Sequence, residues 1–189
     1  MPVFDLRNIK VAEYKVTGNT PGYEASQPAG DAMNVNLELR HAEGRLYAES
    51  SLAEYMKKAT GGSMSIGVKY LPDPVQKLLF GYTDKTRTVG EATVSSLVMN
   101  KRAVAKYAGV SFYAPDMIDG VEKYTCVQVK RALFGPPSMS YQTMGENIVF
   151  STPTTSGEFL PDAAGDLIET AICDDEATAI AWCDAVFGD

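Results

Sequence analysis

The chain has 189 residues, of which 45% are hydrophobic and 22% are charged, and its formal net charge is −7 at pH 7. This length and composition argue against a disordered chain and predict a single domain over residues 1–189 with a sizeable core. With no apolar run near the ~18 residues that a membrane span requires, and no basic and apolar leader, we expect neither a membrane anchor nor a signal peptide.

The basic and acidic residues are distributed unevenly along the chain. All 17 lysines and arginines precede residue 132, whereas residues 132–189 contain ten acidic side chains and no basic ones. Proteins that bind specific nucleic-acid sequences usually concentrate basic residues in one patch. The densest basic groups here, Lys101-Arg102 with Lys106 and Lys130-Arg131, are small. The charge pattern therefore predicts no specific binding to DNA.

A long loop followed by a strand is predicted near the N-terminus. Gly, Pro, Ser and Asn are frequent in residues 18–34, which is typical of a loop, and loops of this length are usually functional or disordered. Val35, Leu37 and Leu39 then alternate with polar residues, which is the period of a half-buried strand. The only histidine, His41, continues this apolar face. We therefore expect a buried, hydrogen-bonded imidazole at the strand end rather than a catalytic one, followed by a turn at residues 42–44.

Residues 51–60 are open to two interpretations. Ser51 and Glu54 match a capping box, and the apolar residues that follow keep helical spacing, so local reasoning favours a helix. Alternatively, these residues form the first strand of a hairpin that turns at Gly61-Gly62, since glycine reaches the positive φ of a two-residue turn. The strand after that turn would have one apolar face, formed by Met64, Ile66, Val68 and Tyr70.

Two helices are predicted. Asp73 is expected to cap the first, with Pro74 in the first helical position and Gly81 at its end. Its apolar stripe, which we expect to pack on the sheet, consists of Val75, Leu78 and Leu79. The second helix is predicted over about residues 175–187, where acidic residues precede an apolar pattern of helical period.

The remaining elements are short strands and a second loop. Residues 81–95, which are rich in Gly and Thr, predict a loop. Apolar or alternating runs predict strands at residues 110–113, 123–133, 147–150, 157–160 and 167–172. The resulting prediction is a mainly β fold: an antiparallel β-sandwich or barrel with one short flanking helix and a C-terminal helix.

No catalytic or metal-binding motif is found in the sequence. Cys126, Cys173 and Cys183 are odd in number and lack CxxC spacing, so we expect reduced cysteines that serve in packing. Phosphate-binding glycine loops, nucleophile elbows and zinc motifs are absent, and the acidic pairs lack the ligand spacing of a calcium loop. The residues therefore predict no enzyme activity, no metal and no cofactor.

Four segments nevertheless occur in a distinctive order. They are LYAE at residues 46–49, GGSMSIGV at residues 61–68, LPDPVQKLLFG at residues 71–81 and GENIVFSTPTTSGEF at residues 145–159. This order resembles the major tail protein family of long-tailed bacteriophages, of the siphophage type, over about residues 35–160. The resemblance implies a β-sandwich with a flanking helix, built into six-membered rings that stack into the hollow tail tube.

The resemblance also implies partners and a location. Each subunit would contact copies of itself, and the tube would meet the tape measure protein and tail terminator or baseplate proteins. DNA would pass through without specific binding, and the protein would assemble in the host bacterial cytoplasm and reside in the virion. Two alternatives remain open: a tube subunit of a contractile injection or secretion system, and a ligand-binding β-sandwich module.

Two segments are the expected assembly elements. The resemblance favours the hairpin interpretation of residues 53–70, and this hairpin and loop 18–34 are the candidates for contacts between rings. Tyr23, Tyr55, Met56 and Met64 are the candidate inter-subunit contacts within them.

Overall fold

The computed structural model describes residues 5–48, 51–143 and 150–188. Within these residues the protein is built mainly from antiparallel strands, with two short helices. The elements in chain order are β1 (Arg7–Thr17), β2 (Thr20–Pro28), β3 (Ala32–Ala48), β4 (Ser51–Val68), α1 (Asp73–Phe80), β5 (Thr83–Val89), β6 (Ala92–Val98), β7 (Ala108–Ile118), β8 (Val121–Phe134), β9 (Thr154–Phe159), β10 (Ile168–Cys173) and α2 (Glu176–Ala185).

Eight of the strands form one curved antiparallel sheet. Its order is β2-β1-β7-β8-β9-β4-β3, with β10 pairing with β8 beside β9, whereas β5 and β6 form a separate two-stranded sheet. Within the described residues the end strands β2 and β3 do not pair with each other, so the sheet does not close into a barrel. The predicted mainly β, antiparallel fold with two helices is therefore confirmed, in a sandwich-like arrangement.

The main core lies between the curved sheet and α1. Buried apolar side chains from five strands of the sheet, among them Ile9, Ile66, Val110, Val129 and Phe159, meet the helix there. The helix contributes Val75, Leu78, Leu79 and Phe80, all of them buried. The apolar stripe read from the sequence therefore faces the sheet.

The ends of α1 differ partly from the prediction. Pro72, not Asp73, occupies the N-cap position, and no side chain caps the helix there. At the other end, Gly81 has the predicted left-handed conformation, with φ 69°, and its N–H donates to the Lys77 carbonyl. A Cβ at Gly81 would lie 2.5 Å from the Val104 carbonyl oxygen, so this position also requires the absence of a side chain.

Helix α2 covers a second, smaller cluster on the sheet. Ala179 and Cys183 of the helix pack there against the buried side chains of Tyr113, Cys126 and Cys173. Its N-cap is Asp175, whose carboxylate accepts a hydrogen bond from the Thr178 amide at 2.8 Å. The helix predicted over residues 175–187 is thus confirmed within two residues at each end.

Both predicted loops contain strands instead. Residues 20–28 form β2, which pairs with β1, and residues 83–98 form the β5–β6 hairpin. Glycine, proline and polar residues are unfavourable in a central strand but are tolerated in an edge strand, where one side of the backbone needs no partner. Both segments are of this kind, which explains why composition alone identified them as loops.

Residues 51–60 form a strand, although the predicted turn at Gly61-Gly62 is wrong. Both glycines lie inside β4, and residues 42–44, also predicted as a turn, lie inside β3. A Cβ on Gly62 would lie 2.2 Å from the Glu38 carbonyl oxygen and 2.4 Å from the Phe159 ring. Glycine is therefore needed at position 62 because the neighbouring strands of the sheet approach closely, not because the chain turns there.

Candidate functional site: a two-stranded arm and an apolar patch

A long ribbon extends from the body where β4 loses its second neighbour. Strand β9 pairs with β4 only from Gly62 to Gly67, whereas β3 pairs with β4 along its whole length. Residues 40–48 and 51–60 therefore form a ribbon of two strands alone, which we call the arm. At about 3.3 Å per residue the arm is roughly 30 Å long.

Both faces of the arm are exposed. Every residue of its two segments is exposed, including His41, which the sequence analysis expected to be buried. The prediction failed because the apolar alternation of Val35 and Leu37 stays near the core, whereas β3 continues past the core before it reaches His41. A two-stranded ribbon is at best marginally stable in water, so the arm needs either internal contacts or a partner.

One face of the arm contains a network of charged and aromatic side chains. Glu43 lies opposite Lys57 in the register, with 3.3 Å between their charged atoms, and Arg45 approaches Glu43 to 3.6 Å. The Arg45 guanidinium also lies 5.6 Å from the centre of the Tyr55 ring. Cross-strand pairs of this kind contribute only a few tenths of a kcal/mol each, up to about 1 kcal/mol. The network therefore favours one shape of the arm without fixing it strongly.

The network is reflected in the pKa values of two of its members. Hydrogen bonds from Tyr55 and Lys57 lower the pKa of the Glu43 carboxyl. The same contact with Glu43, together with partial burial, raises the pKa of Tyr55. Glu43 is thus ionised and Tyr55 is protonated at neutral pH, which keeps their hydrogen bond intact.

The arm also exposes many large apolar side chains. They are between 50% and 62% exposed and comprise Leu46, Tyr47, Leu52, Tyr55 and Met56. Three of them border an open hollow of about 440 Å³, which is lined by Gly44, Arg45, Leu46, Glu54, Tyr55 and Met56. Concentrated apolar exposure on a monomer is typical of a surface that binds another protein.

The structure separates the four candidate inter-subunit contacts. Tyr55 and Met56 are exposed on the arm, as an inter-subunit contact requires. Met64 is only 1% exposed, because it lies on the part of β4 that has neighbours on both sides and points into the main core. Its assignment as a contact residue is wrong.

Tyr23 is engaged within its own chain. Its hydroxyl donates to the Lys130 carbonyl at 2.9 Å, and its ring packs edge-on against Tyr14 and Phe187. Burial raises the pKa of this tyrosine. Residues 20–28 form a paired strand rather than a loop, and half-buried Tyr23 packs against neighbouring elements of its own chain. Its role as an inter-subunit contact stays a prediction.

A second exposed apolar surface lies at the opposite end of the β3–β4 hairpin. We call it the base patch, and it consists of Met33, Tyr70, Met139, Tyr141 and Phe150. Open grooves with shared lining residues connect its members; the one beside Phe150 has a volume of about 390 Å³. Sequence reasoning missed this patch because its residues come from four separate segments without periodicity.

Residues 144–149, which include most of the predicted strand 147–150, lie outside the described residues.

The buried cysteines do not form a reactive site. Cys126 Sγ and Cys173 Sγ are 3.7 Å apart, and all three cysteines are free and buried. Burial raises the pKa of Cys126, and it raises the pKa of Cys183 to about 11. The Cys126 and Cys183 thiols therefore stay protonated at neutral pH, and a protonated thiol is a poor nucleophile. In the described part of the chain, no three His, Cys, Asp or Glu side chains are placed to bind a metal ion.

Comparison with protein families and with curated proteins adds no relative. No protein-family model matches the sequence, and no curated protein matches it. Among the described residues, no helix is long and apolar enough to cross a membrane. The arm and the base patch are therefore the features from which a function is argued.

Proposed function

We propose that this protein is the structural subunit of a bacteriophage tail tube, which forms six-membered rings that stack into a hollow tube. The observation that carries the proposal is the arm: a ribbon about 30 Å long with exposed apolar side chains, beside which no third strand pairs in the described part of the chain. The order of four sequence segments resembles the major tail protein family, and this resemblance indicates which assembly the arm would serve: six-membered rings stacked into a tube.

The distribution of apolar surface supports self-assembly. The arm and the base patch lie at opposite ends of the same two strands, and neither covers the other. Two different surfaces that bind each other between copies give a head-to-tail contact, which produces closed rings or open filaments rather than a simple dimer. A stack of rings needs contacts of this heterologous kind along the tube.

The charge supports a role as a conduit for DNA. Six copies carry a net charge of −42, whereas duplex DNA carries one negative charge per ~1.7 Å of its axis. Acidic groups that line a channel repel DNA over about one Debye length, ~8 Å at physiological salt, and so keep it from binding to the wall. The proposal also includes the tape measure protein and tail terminator or baseplate proteins as partners, and the virion as the location.

Electron microscopy with a shortened arm tests the proposal. In the test variant Asn-Gly replaces residues 44–56, which joins the paired residues Glu43 and Lys57 through a two-residue hairpin turn. We expect the full chain to form rings or tubes in negative stain as its concentration rises. The shortened chain should stay monomeric and keep a cooperative thermal unfolding transition, because the deleted residues that the structure describes lie outside the core.

A matched control shortens the other exposed hairpin. Replacement of residues 86–95 by Asn-Gly joins the paired residues Lys85 and Ser96 and removes a comparable exposed ribbon. This variant should still assemble if the arm is the specific assembly element. A full chain that stays monomeric at every concentration, or an arm-shortened chain that still forms tubes, would refute the proposal.

A further inference from the structure

The arm contains an empty site at a position without a side chain. Gly44 lies opposite Met56 in the strand register. A Cβ built on Gly44 meets no atom within 4 Å, so the space above it is open. The hollow of about 440 Å³ at this point is bordered by the apolar side chains of Leu46, Tyr55 and Met56 and by the charged residues Arg45 and Glu54. Its apolar part, next to the missing side chain of Gly44, accepts a large apolar side chain.

The base patch presents a side chain of the matching kind. Phe150 is 85% exposed, more than any other large apolar side chain in the described residues. It stands beside the start of β3, where it lines a groove together with Met33 and Lys69. An aromatic ring that is this exposed gains considerable free energy when another protein buries it.

The two surfaces are too far apart to meet within one chain. From Ala32, which shares the groove with Phe150, strand β3 runs without interruption to Gly44. Twelve residues of strand span about 40 Å. Phe150 can therefore reach a Gly44 hollow only in a second copy, and in a head-to-tail arrangement that copy is displaced along the strand direction by about this distance.

The charge of the arm favours the same pairing. Residues 40–60 contain four basic and three acidic side chains, a net charge of +1, which leaves −8 for the rest of the chain. The arm of one copy is therefore attracted to the body of another, whereas two bodies repel each other.

We infer that Phe150 of one copy inserts into the hollow at Gly44 of the next copy, and that this contact joins the copies head to tail. The inference rests on the proposed function and adds to it the residues that make the contact and a repeat of about 40 Å along the strands. The occupant of the hollow is thus a second copy of this chain.

Filling the hollow tests the inference. The Gly44→Trp variant places an indole in the hollow, and the open space and the ordinary backbone conformation at this position allow the monomer to fold. The concentration at which assembly begins should rise about tenfold or more, the effect of losing one buried aromatic contact. Phe150→Ala should have a similar effect, and the double variant should recover part of the loss, because the indole then occupies the space that the Phe150 ring vacates.

Thr88→Trp is the matched control, because it adds the same indole to an exposed strand of the other hairpin. It should assemble like the unmodified chain. Normal assembly of Gly44→Trp, or a double variant that is no better than either single variant, would overturn the inference.

Cross-linking separates the failure of this contact from the failure of the proposed function. A mixture of Gly44→Cys and Phe150→Cys proteins, treated with a mild oxidant, should yield a mixed disulfide dimer well above the level given by Thr88→Cys with Phe150→Cys. Mixed dimers from a protein that never forms tubes would support the contact and refute the tube. Tubes without mixed dimers would support the tube and overturn the contact. The absence of both tubes and mixed dimers would overturn both proposals.

Discussion

Replacement of Leu79 by alanine tests whether α1 is held by the core. Leu79 is 1% exposed and belongs to the main core cluster. A helix of eight residues is too short to be stable alone in water, so α1 depends on its packing against the sheet. Truncation of a fully buried leucine removes its transfer free energy and leaves a cavity, which together cost roughly 2–5 kcal/mol.

Urea unfolding followed by circular dichroism measures this loss. For a chain of this length, a loss of 2–5 kcal/mol corresponds to a decrease in Tm of roughly 4–20 °C, which thermal unfolding checks independently. Lys77→Ala on the same helix is the control, since the Lys77 ammonium is exposed and makes only a surface ion pair with Asp84 at 2.7 Å. Its cost should be under about 1 kcal/mol. A loss below ~0.5 kcal/mol for Leu79→Ala would show that the helix does not pack as described.

Three further predictions concern pH, DNA and the arm. Glu176 accepts hydrogen bonds from the Tyr113 hydroxyl at 2.8 Å and from Arg7 at 2.7 Å, which lower the pKa of its carboxyl. The stability that this network contributes is complete above the ordinary pKa of a glutamate and is lost as the pH falls through the lowered pKa. Between pH 7 and pH 3 the free energy of unfolding should therefore fall less for Glu176→Gln than for the unmodified protein. An equal fall in both proteins would contradict this prediction. The isolated protein should not bind duplex DNA strongly at physiological salt, and a submicromolar Kd that weakens steeply with added salt would exclude an inert conduit. Amide protons of the arm should exchange rapidly in the monomer and slowly in tubes, whereas those of β2 that pair with β1 should be protected in both forms; equal protection of the arm in both would argue against ordering on assembly.

The sequence was informative for several elements that have one face against the core. The spacing of Val75, Leu78 and Leu79 identified α1 and its buried side, and the alternation from Val35 onward identified β3. These signals exist because a buried face demands apolar residues at a fixed period. Strands β1, β2, β5 and β6 were not predicted. Strands β2, β5 and β6 lie at an edge or outside the main sheet, where polar residues, glycine and proline are tolerated, whereas β1 lies between β2 and β7 and buries Ile9 and Val11.

The candidate site was only partly accessible from the sequence. Tyr55 and Met56 lie on the exposed arm, yet Met64, eight residues further along the same strand, is buried. The difference is set by β9, which covers β4 only from Gly62 onward and is distant in sequence. Similarly, a pair of adjacent glycines is typical of a turn, but at Gly62 the requirement is the nearby Phe159 ring, which only the folded sheet brings there.

The arm has only weak contacts within itself, whereas its exposed apolar side chains could make stronger contacts with a second copy. The ion pairs of Glu43 with Lys57 and Arg45 are exposed, so they contribute little against the conformational entropy of a ribbon whose backbone ordering costs about 1–2 kcal/mol per residue. Burial of Leu46 and Met56 against a second copy would add apolar contacts that the monomer lacks. The free energy that fixes the arm would then come mainly from assembly, so that single subunits in solution face an entropic cost before they join. Such a cost favours growth on an existing ring, where several contacts form together, over random pairing of free subunits.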